Sequence, residues 1–175
     1  MKFGCCKRLR RGMTRRGTFT TSKCLMRTRL RIPLGLSYST RHLWFKRLNK
    51  RYRVGVTDFW QEEIGDVVGV FFCASEGVKQ LDKHIAELKC LEPSWRDMRR
   101  DVVSVIAHEI RSPMCCSIVS INSLLHRTPS LINCDPYGDG WLFEITPIIQ
   151  EADFLMNASQ YYQFLKTYFS GNDLP

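Results

Sequence analysis

No aspartate or glutamate occurs before Asp58. Residues 1–57 hold 17 Lys and Arg, whereas residues 58–175 hold 9 basic against 17 acidic side chains. The net charge of +9 is therefore a strongly basic front joined to an acidic remainder, which excludes a uniformly basic domain. Long apolar runs are missing too. Nothing approaches the roughly 18 consecutive apolar residues that cross a bilayer, so a soluble chain with no membrane partner is expected. No apolar stretch of about 7–15 residues follows the N-terminal charges, as a secretory signal would require. The eight cysteines include no C-x-x-C pair, and the five beyond the basic front (Cys73, Cys90, Cys115, Cys116, Cys134) are odd in number. Reduced intracellular thiols fit better than a disulfide framework. His84, His108 and His126 are scattered rather than paired with cysteines at zinc-finger spacing, so no metal ligands are assigned. Asn133, Asp135 and Asp139 lack the spacing and terminal Glu of a calcium loop. His84 and Glu87 stand at i and i+3 without a nucleophile or oxyanion donor, and no catalytic residues are assigned.

What the front does contain is informative. Residues 1–31 carry eleven Lys and Arg, several Ser and Thr, and no acid. That is the composition of an organellar transit peptide, whose positive charge is drawn toward the negative side of an energised membrane. The competing reading is a nucleic-acid-binding arm, since clustered Lys and Arg neutralise phosphates. The aromatic interleaving expected for base stacking is thin, which favours the leader and no nucleic-acid partner. Residues 1–36 are assigned to a basic, disordered leader and 37–175 to a folded domain, with cleavage expected between residues 25 and 37.

The remainder has ordinary globular composition; over the whole chain 44% of residues are hydrophobic and 25% charged. Tyr52, Val54 and Val56 alternate with polar or small residues, the pattern of a half-buried strand. Asp58 is the expected cap of a short helix ending at Gly65. Asp66–Phe72, Ile118–Ile121 and Trp141–Ile145 read as strands, and Ser75–Gly77 as a turn. Residues 84–91 and 101–107 are ambiguous, although the valines of the second favour strand. Ser123–His126 suits a single helical turn, and residues 133–140 suit a loop throughout. Glu151–Phe169 has one amphipathic face on Phe154, Leu155, Ala158, Tyr161, Tyr162 and Leu165. Cys115 and Cys116 have nothing nearby in sequence to lower a thiol pKa and read as inert. Trp44, Tyr137 and Trp141 read as packing residues. Short strands with a helical tail predict a mainly β fold with peripheral helices and a C-terminal helix.

Five blocks, in order, resemble the glycine cleavage H-protein family. They are Tyr38-Ser39-Thr40-Arg41-His42-Leu43-Trp44, Tyr52–Thr57, Gln61–Val68, Pro129–Leu142 and Leu155–Tyr161. The fourth, through Asn133-Cys134-Asp135-Pro136-Tyr137-Gly138-Asp139-Gly140-Trp141, is the most specific. The resemblance implies a barrel-sandwich hybrid related to lipoyl and biotinyl domains. It implies a non-catalytic carrier whose lysine bears a covalent lipoyl group on a tight hairpin turn. It further implies shuttling of the aminomethyl group of glycine between glycine decarboxylase (P protein), aminomethyltransferase (T protein) and dihydrolipoyl dehydrogenase (L protein) in the mitochondrial matrix.

One segment departs from the family pattern. The family turn reads Glu-Ser-Val-Lys-Ala, with Pro eight residues past the lysine. Counting back from Pro113 places Val105 at the lysine position, or Ile106 with a one-residue shift. The stretch from Gly77 to Ala107 is about a dozen residues longer than the family's, through an insertion at about 90–101. Lys89 is the only lysine between His84 and Ala107 and is the candidate attachment residue. Either the insertion has displaced the turn and Lys89 is modified, or the lysine is lost and the chain is a non-lipoylated interaction protein on the same scaffold. A retained intron would also produce such an insertion. A mitochondrial RNA-associated protein that keeps its basic arm is the third reading. The glycine usual after the family's proline is replaced near Cys115-Cys116-Ser117, so a strained turn is expected there.

Overall fold

The computed structural model describes residues 30–73, 77–91, 104–148 and 154–170. The expected turn at Ser75–Gly77 lies largely outside them. The described residues include nine strands: β1 (Ser37–Tyr38), β2 (Leu43–Leu48), β3 (Arg51–Val56), β4 (Asp66–Phe72), β5 (Gly77–Lys79), β6 (His84–Leu91), β7 (Val105–Arg111), β8 (Cys116–Ile121) and β9 (Trp141–Pro147). Helix α1 spans Asp58–Ile64, α2 is the single turn Leu131–Cys134, and α3 spans Ala158–Ser170. A 3₁₀ turn occupies Ser123–His126, as expected.

The strands form two antiparallel sheets, one in the order β1-β2-β3-β9-β8-β5 and the other β4-β6-β7. Their inner faces meet in one core: Phe45, Val54, Val56, Ile118, Phe143 and Ile145 from the larger sheet, and Val67, Val70, Ile85, Leu88 and Ile110 from the smaller. This is the mainly β barrel-sandwich hybrid with a C-terminal helix that the sequence predicts. The ambiguous segment 84–91 is β6; of 101–107, residues 105–107 open β7, and 101–103, with Val102 and Val103, lie outside the described residues. In β6 the side chains of Ile85, Leu88 and Cys90 enter the core, while Glu87, Lys89 and Leu91 are only half-buried.

A second core lies on the opposite face of β1–β3, because strand alternation sends Phe45 one way and Trp44 the other. Tyr38, Trp44, Phe59, Ala158, Tyr161 and Leu165 build it, with Leu30, Ile32 and Leu36 packed alongside. Gly55 faces Trp44 across the ladder, and a Cβ there would lie 2.7 Å from the indole ring. The indole N–H donates to the Pro136 carbonyl at 2.9 Å. Tyr161 stacks on Tyr38 at 4.6 Å between ring centroids. Its hydroxyl lies 2.9 Å from His42 Nδ1 and 3.1 Å from Thr57 Oγ1. Burial pushes the His42 imidazole down to about 4, so the ring is neutral at physiological pH.

Several local details differ from expectation, among them α2, whose single turn takes in Asn133 and Cys134 of the stretch read as loop throughout. Thr57, not Asp58, caps α1: its Oγ1 accepts the Trp60 N–H at 3.3 Å. The Asp58 carboxylate is engaged elsewhere, by the Arg31 backbone N–H at 2.9 Å and the Arg31 guanidinium at 3.0 Å. The C-terminal helix begins at Ala158, because Met156 is held in a bridge to Tyr38. A reciprocal cap then starts the helix: Gln160 N–H donates to Asn157 Oδ1 at 2.9 Å, and Asn157 N–H donates to Gln160 Oε1 at 2.8 Å. Finally, the bend Ser112–Cys115 needs no glycine. Among the described residues, positive φ outside glycine occurs only at His42, Asn49 and Asp82. Ser112 Oγ donates to the Met114 carbonyl at 2.6 Å and lies 3.5 Å from Cys116 Sγ, so a side chain organises that bend.

Candidate carrier hairpin

The hairpin of β6 and β7 is where a carrier group is expected. Its last paired residues are Leu91 and Val105. The insertion beyond them falls almost wholly within residues 92–103, outside the described residues. Val105 and Ile106, which counting from Pro113 puts at the lysine position, lie at this outer end of the ladder, opposite Leu91 and Cys90. Val105 is 56% exposed and, like Ile106, has no amine.

Lys89 lies two residues inside the end of β6. That strand is the middle one of its sheet, so Lys89 has a neighbour on each side: Gly69 on β4 and Ala107 on β7. Both neighbours are small, and the Phe71 ring of β4 leans over Gly69 beside Lys89. Its ammonium lies 4.6 Å from the centroid of the Phe71 ring. Lys89 is thus an amine on a solvent-facing sheet surface, chemically able to take an acyl group, and it stands within the ladder instead of on its turn.

The other end of the hairpin is tied down. Ser112, fully buried, donates its N–H to the Lys83 carbonyl at 2.7 Å and accepts the Asp82 N–H at 2.9 Å. Beside it, a cleft of about 250 Å³ opens between the β1–β2 connection, α1 and β7, lined by Arg41, His42, Trp60, Glu109 and Arg111 among others. Both guanidinium groups are already matched by carboxylates, Arg41 with Asp82 and Arg111 with Glu109.

The remaining candidates are structural. His84 Nε2 lies 3.0 Å from the Ala86 carbonyl and 3.7 Å from Cys73 Sγ. Glu87 stands opposite Phe71 and Glu109 in the neighbouring strands. Among the described residues, Cys73, Cys90, Cys115, Cys116 and Cys134 form no disulfide. Burial pushes the Cys90 thiol up to about 12 and raises that of Cys116, which suits the inert reading of the latter. Among the described residues no group of His, Cys, Asp and Glu could hold a metal ion.

The long loop before β9 is cross-tied throughout. Asn133 Oδ1 accepts the Val67 N–H at 2.8 Å, while its Nδ2 donates to Gln61 Oε1 at 2.9 Å and to the Gly65 carbonyl at 3.0 Å. Asn122 Nδ2 donates to the Asp139 and Trp141 carbonyls, both at 2.8 Å. The Tyr137 hydroxyl accepts the Asp58 N–H at 3.0 Å and donates to the Arg31 carbonyl at 2.6 Å. Of these tying residues, Tyr137 reads from the sequence as packing, whereas the clamping roles of Asn122 and Asn133 do not show there. The density of Asn, Asp and Gly between Asn122 and Gly140 was the available signal.

Comparison with known proteins agrees with this architecture. The family model described as glycine cleavage H-protein matches residues 101–168, a stretch that begins after β6 and so excludes Lys89. The glycine cleavage system H protein of Coprothermobacter proteolyticus is 34% identical over 133 residues, covering 75% of this chain and 94% of that protein. The mitochondrial H protein of Flaveria pringlei is 30% identical over 131 residues, covering 74% of this chain and 73% of its own length. The crystal structure of the H protein from Mycobacterium marinum superposes with a TM-score of 0.61 at 25% identity, covering 77% of this chain and 99% of that one. With the sheets, the tied loop and the terminal helix all in place, the chain belongs to the glycine cleavage H-protein family.

Proposed function

We propose that this protein is a carrier component of the glycine cleavage system, bearing a lipoyl group on Lys89. The observation that carries the proposal is the setting of Lys89: the hairpin's lone lysine by sequence, on an outer sheet face, flanked by Gly69 and Ala107. An amide-linked arm rooted there has Ala107 on one side and, on the other, Gly69 with the Phe71 ring over it. When bound, the lipoyl group supplies the dithiolane that takes up the aminomethyl group of glycine. The chain's own part is to present the amine from a strand fixed at its far end by Ser112, Asp82 and Lys83, and to dock in turn with glycine decarboxylase, aminomethyltransferase and dihydrolipoyl dehydrogenase. It is a carrier and not a catalyst in this scheme. The basic leader, together with the mitochondrial relative, supports import to the matrix and removal of the front of the chain. The packing of Leu30, Ile32 and Leu36 on the second core and the bonds of Arg31 to Asp58 support a cut upstream of residue 30.

A second reading, a non-lipoylated member of the family that binds partner enzymes, is favoured by one observation. The described end of the hairpin is Leu91 and Val105, and Lys89 stands inside it. Reconstitution with the three partner enzymes separates the two. The carrier reading predicts glycine-dependent release of carbon dioxide with the wild-type protein and none with Lys89→Arg. Partner binding without any turnover supports the second reading, and full turnover by Lys89→Arg removes Lys89 from the scheme.

A further inference from the structure

Lys89 does not stand clear of its surroundings. Phe71 lies two residues beyond Gly69 on the same face of β4 and is 50% exposed. Its ring leans back over Gly69, and the Lys89 ammonium sits 4.6 Å from the ring centroid. Gly69 makes room for this arrangement. A Cβ at that position would meet the Phe71 ring at 3.2 Å and the Lys89 Cβ at 3.6 Å. The ladder shifts register between Val67 and Gly69, and beyond that shift Gly69 pairs with Lys89 and Phe71 with Glu87. Three residues thus form one shallow seat: bare backbone beneath, an aromatic face beside it, and the amine resting on that face.

We propose that Phe71, seated over Gly69, is a positioning residue for Lys89, holding the amine against β4 and setting how readily it reaches an acyl donor. The proposal rests on the reading of Lys89 as the attachment residue and adds a control on its modification. In acylation a bond forms between Lys89 Nζ and the carbonyl carbon of an activated acyl ester or mixed anhydride. The bond from that carbon to its leaving group breaks, the leaving group departs with the electron pair, and the amine proton passes to water. The ammonium on the ring has no lone pair, so it must leave the ring and give a first proton to water before Nζ can attack the donor. A solvent-exposed cation–π contact contributes about 0.5–1 kcal/mol, and its removal frees the amine by about two- to fivefold.

Limiting succinimidyl acetate applied to the full chain tests this without any lipoylating enzyme. Acetylation of Lys89 is read by peptide mass spectrometry against Lys50 and Lys83, both exposed in the same molecule. Phe71→Ala raises the ratio of Lys89 to Lys83 labelling about two- to fivefold. Phe71→Leu keeps apolar bulk but no aromatic face; it raises the ratio as well and serves if the alanine variant fails to fold. An unchanged ratio in folded variants overturns the proposal. A raised ratio in a protein that never acquires a lipoyl mass in cells would support the seat while refuting Lys89 as the attachment residue.

Discussion

The loop from Pro129 to Leu142 and the hairpin of β6 and β7 belong to one domain but are held in different ways. In the loop, polar side chains fasten the chain to distant elements: Asn133 to α1 and β4, and Tyr137 to α1 and the stretch before β1. The hairpin is fastened at its Ser112 end, and at the other end its described ladder stops on the apolar pair Leu91 and Val105. The segment most like the family in sequence is therefore a structural clamp, and the segment that departs from it is the one proposed to carry the group. Family membership and carrier activity rest on different residues.

Mutation of the clamp gives the largest expected effect. Asn122 is 2% exposed; it donates to two carbonyls and accepts the Leu124 N–H. Asn122→Ala leaves these buried groups without partners and should cost about 3 kcal/mol, seen as a lower urea midpoint at unchanged m-value. His42 gives the next effect. It is a base whose folded value is depressed from 6.5 to about 4 by burial, so folding favours the neutral ring. Its contribution is complete above pH 6.5 and is lost as pH falls toward 4, on the order of 2–3 kcal/mol in all. His42→Gln should flatten the stability profile in that window, and an unchanged slope would assign acid sensitivity to other groups.

Arg31→Ala tests the stretch before β1. It leaves the Asp58 carboxylate, only 3% exposed, with the Arg31 backbone N–H and Gln61 Nε2 as remaining donors. Because the Arg31 side chain is 56% exposed, a loss of about 1 kcal/mol is expected in thermal or urea unfolding. The smallest effect is a gain. Burial and the neighbouring Asp58 push the Glu62 carboxyl up to about 7 from 4.5, so its protonated form is favoured by folding and stability falls as pH rises through that range. Glu62→Gln should therefore stabilise the protein at pH 8, by under about 1 kcal/mol given its partial exposure, with no gain at pH 4.

The fold was legible where one periodicity dominates. Tyr52, Val54 and Val56 alternate, the run Asp66–Phe72 is too apolar to lie elsewhere than in a strand, and both emerge as β3 and β4. β6 was harder to read because its register shift between His84 and Ala86 places two consecutive buried residues, Ile85 and Ala86, in an otherwise alternating pattern. The start of α3 was obscured because Leu155 and Met156 continue an apolar spacing that the bridge from Met156 to Tyr38 takes for itself. Arg31 reads as one more leader charge in sequence; its partner Asp58 lies 27 residues away, and only the fold brings them together. Lys89 could be chosen as the hairpin's lone lysine, but its seat on Phe71 depends on the cross-strand register, which no local pattern reveals.

The central claim is that Lys89 carries the arm, and intact mass of the protein from cells that lipoylate proteins tests it most directly. The account predicts one lipoyl addition on the wild-type chain, found on the Lys89 peptide and absent from Lys89→Arg. A wild-type chain with no addition, or a Lys89→Arg chain that keeps it, would contradict the account.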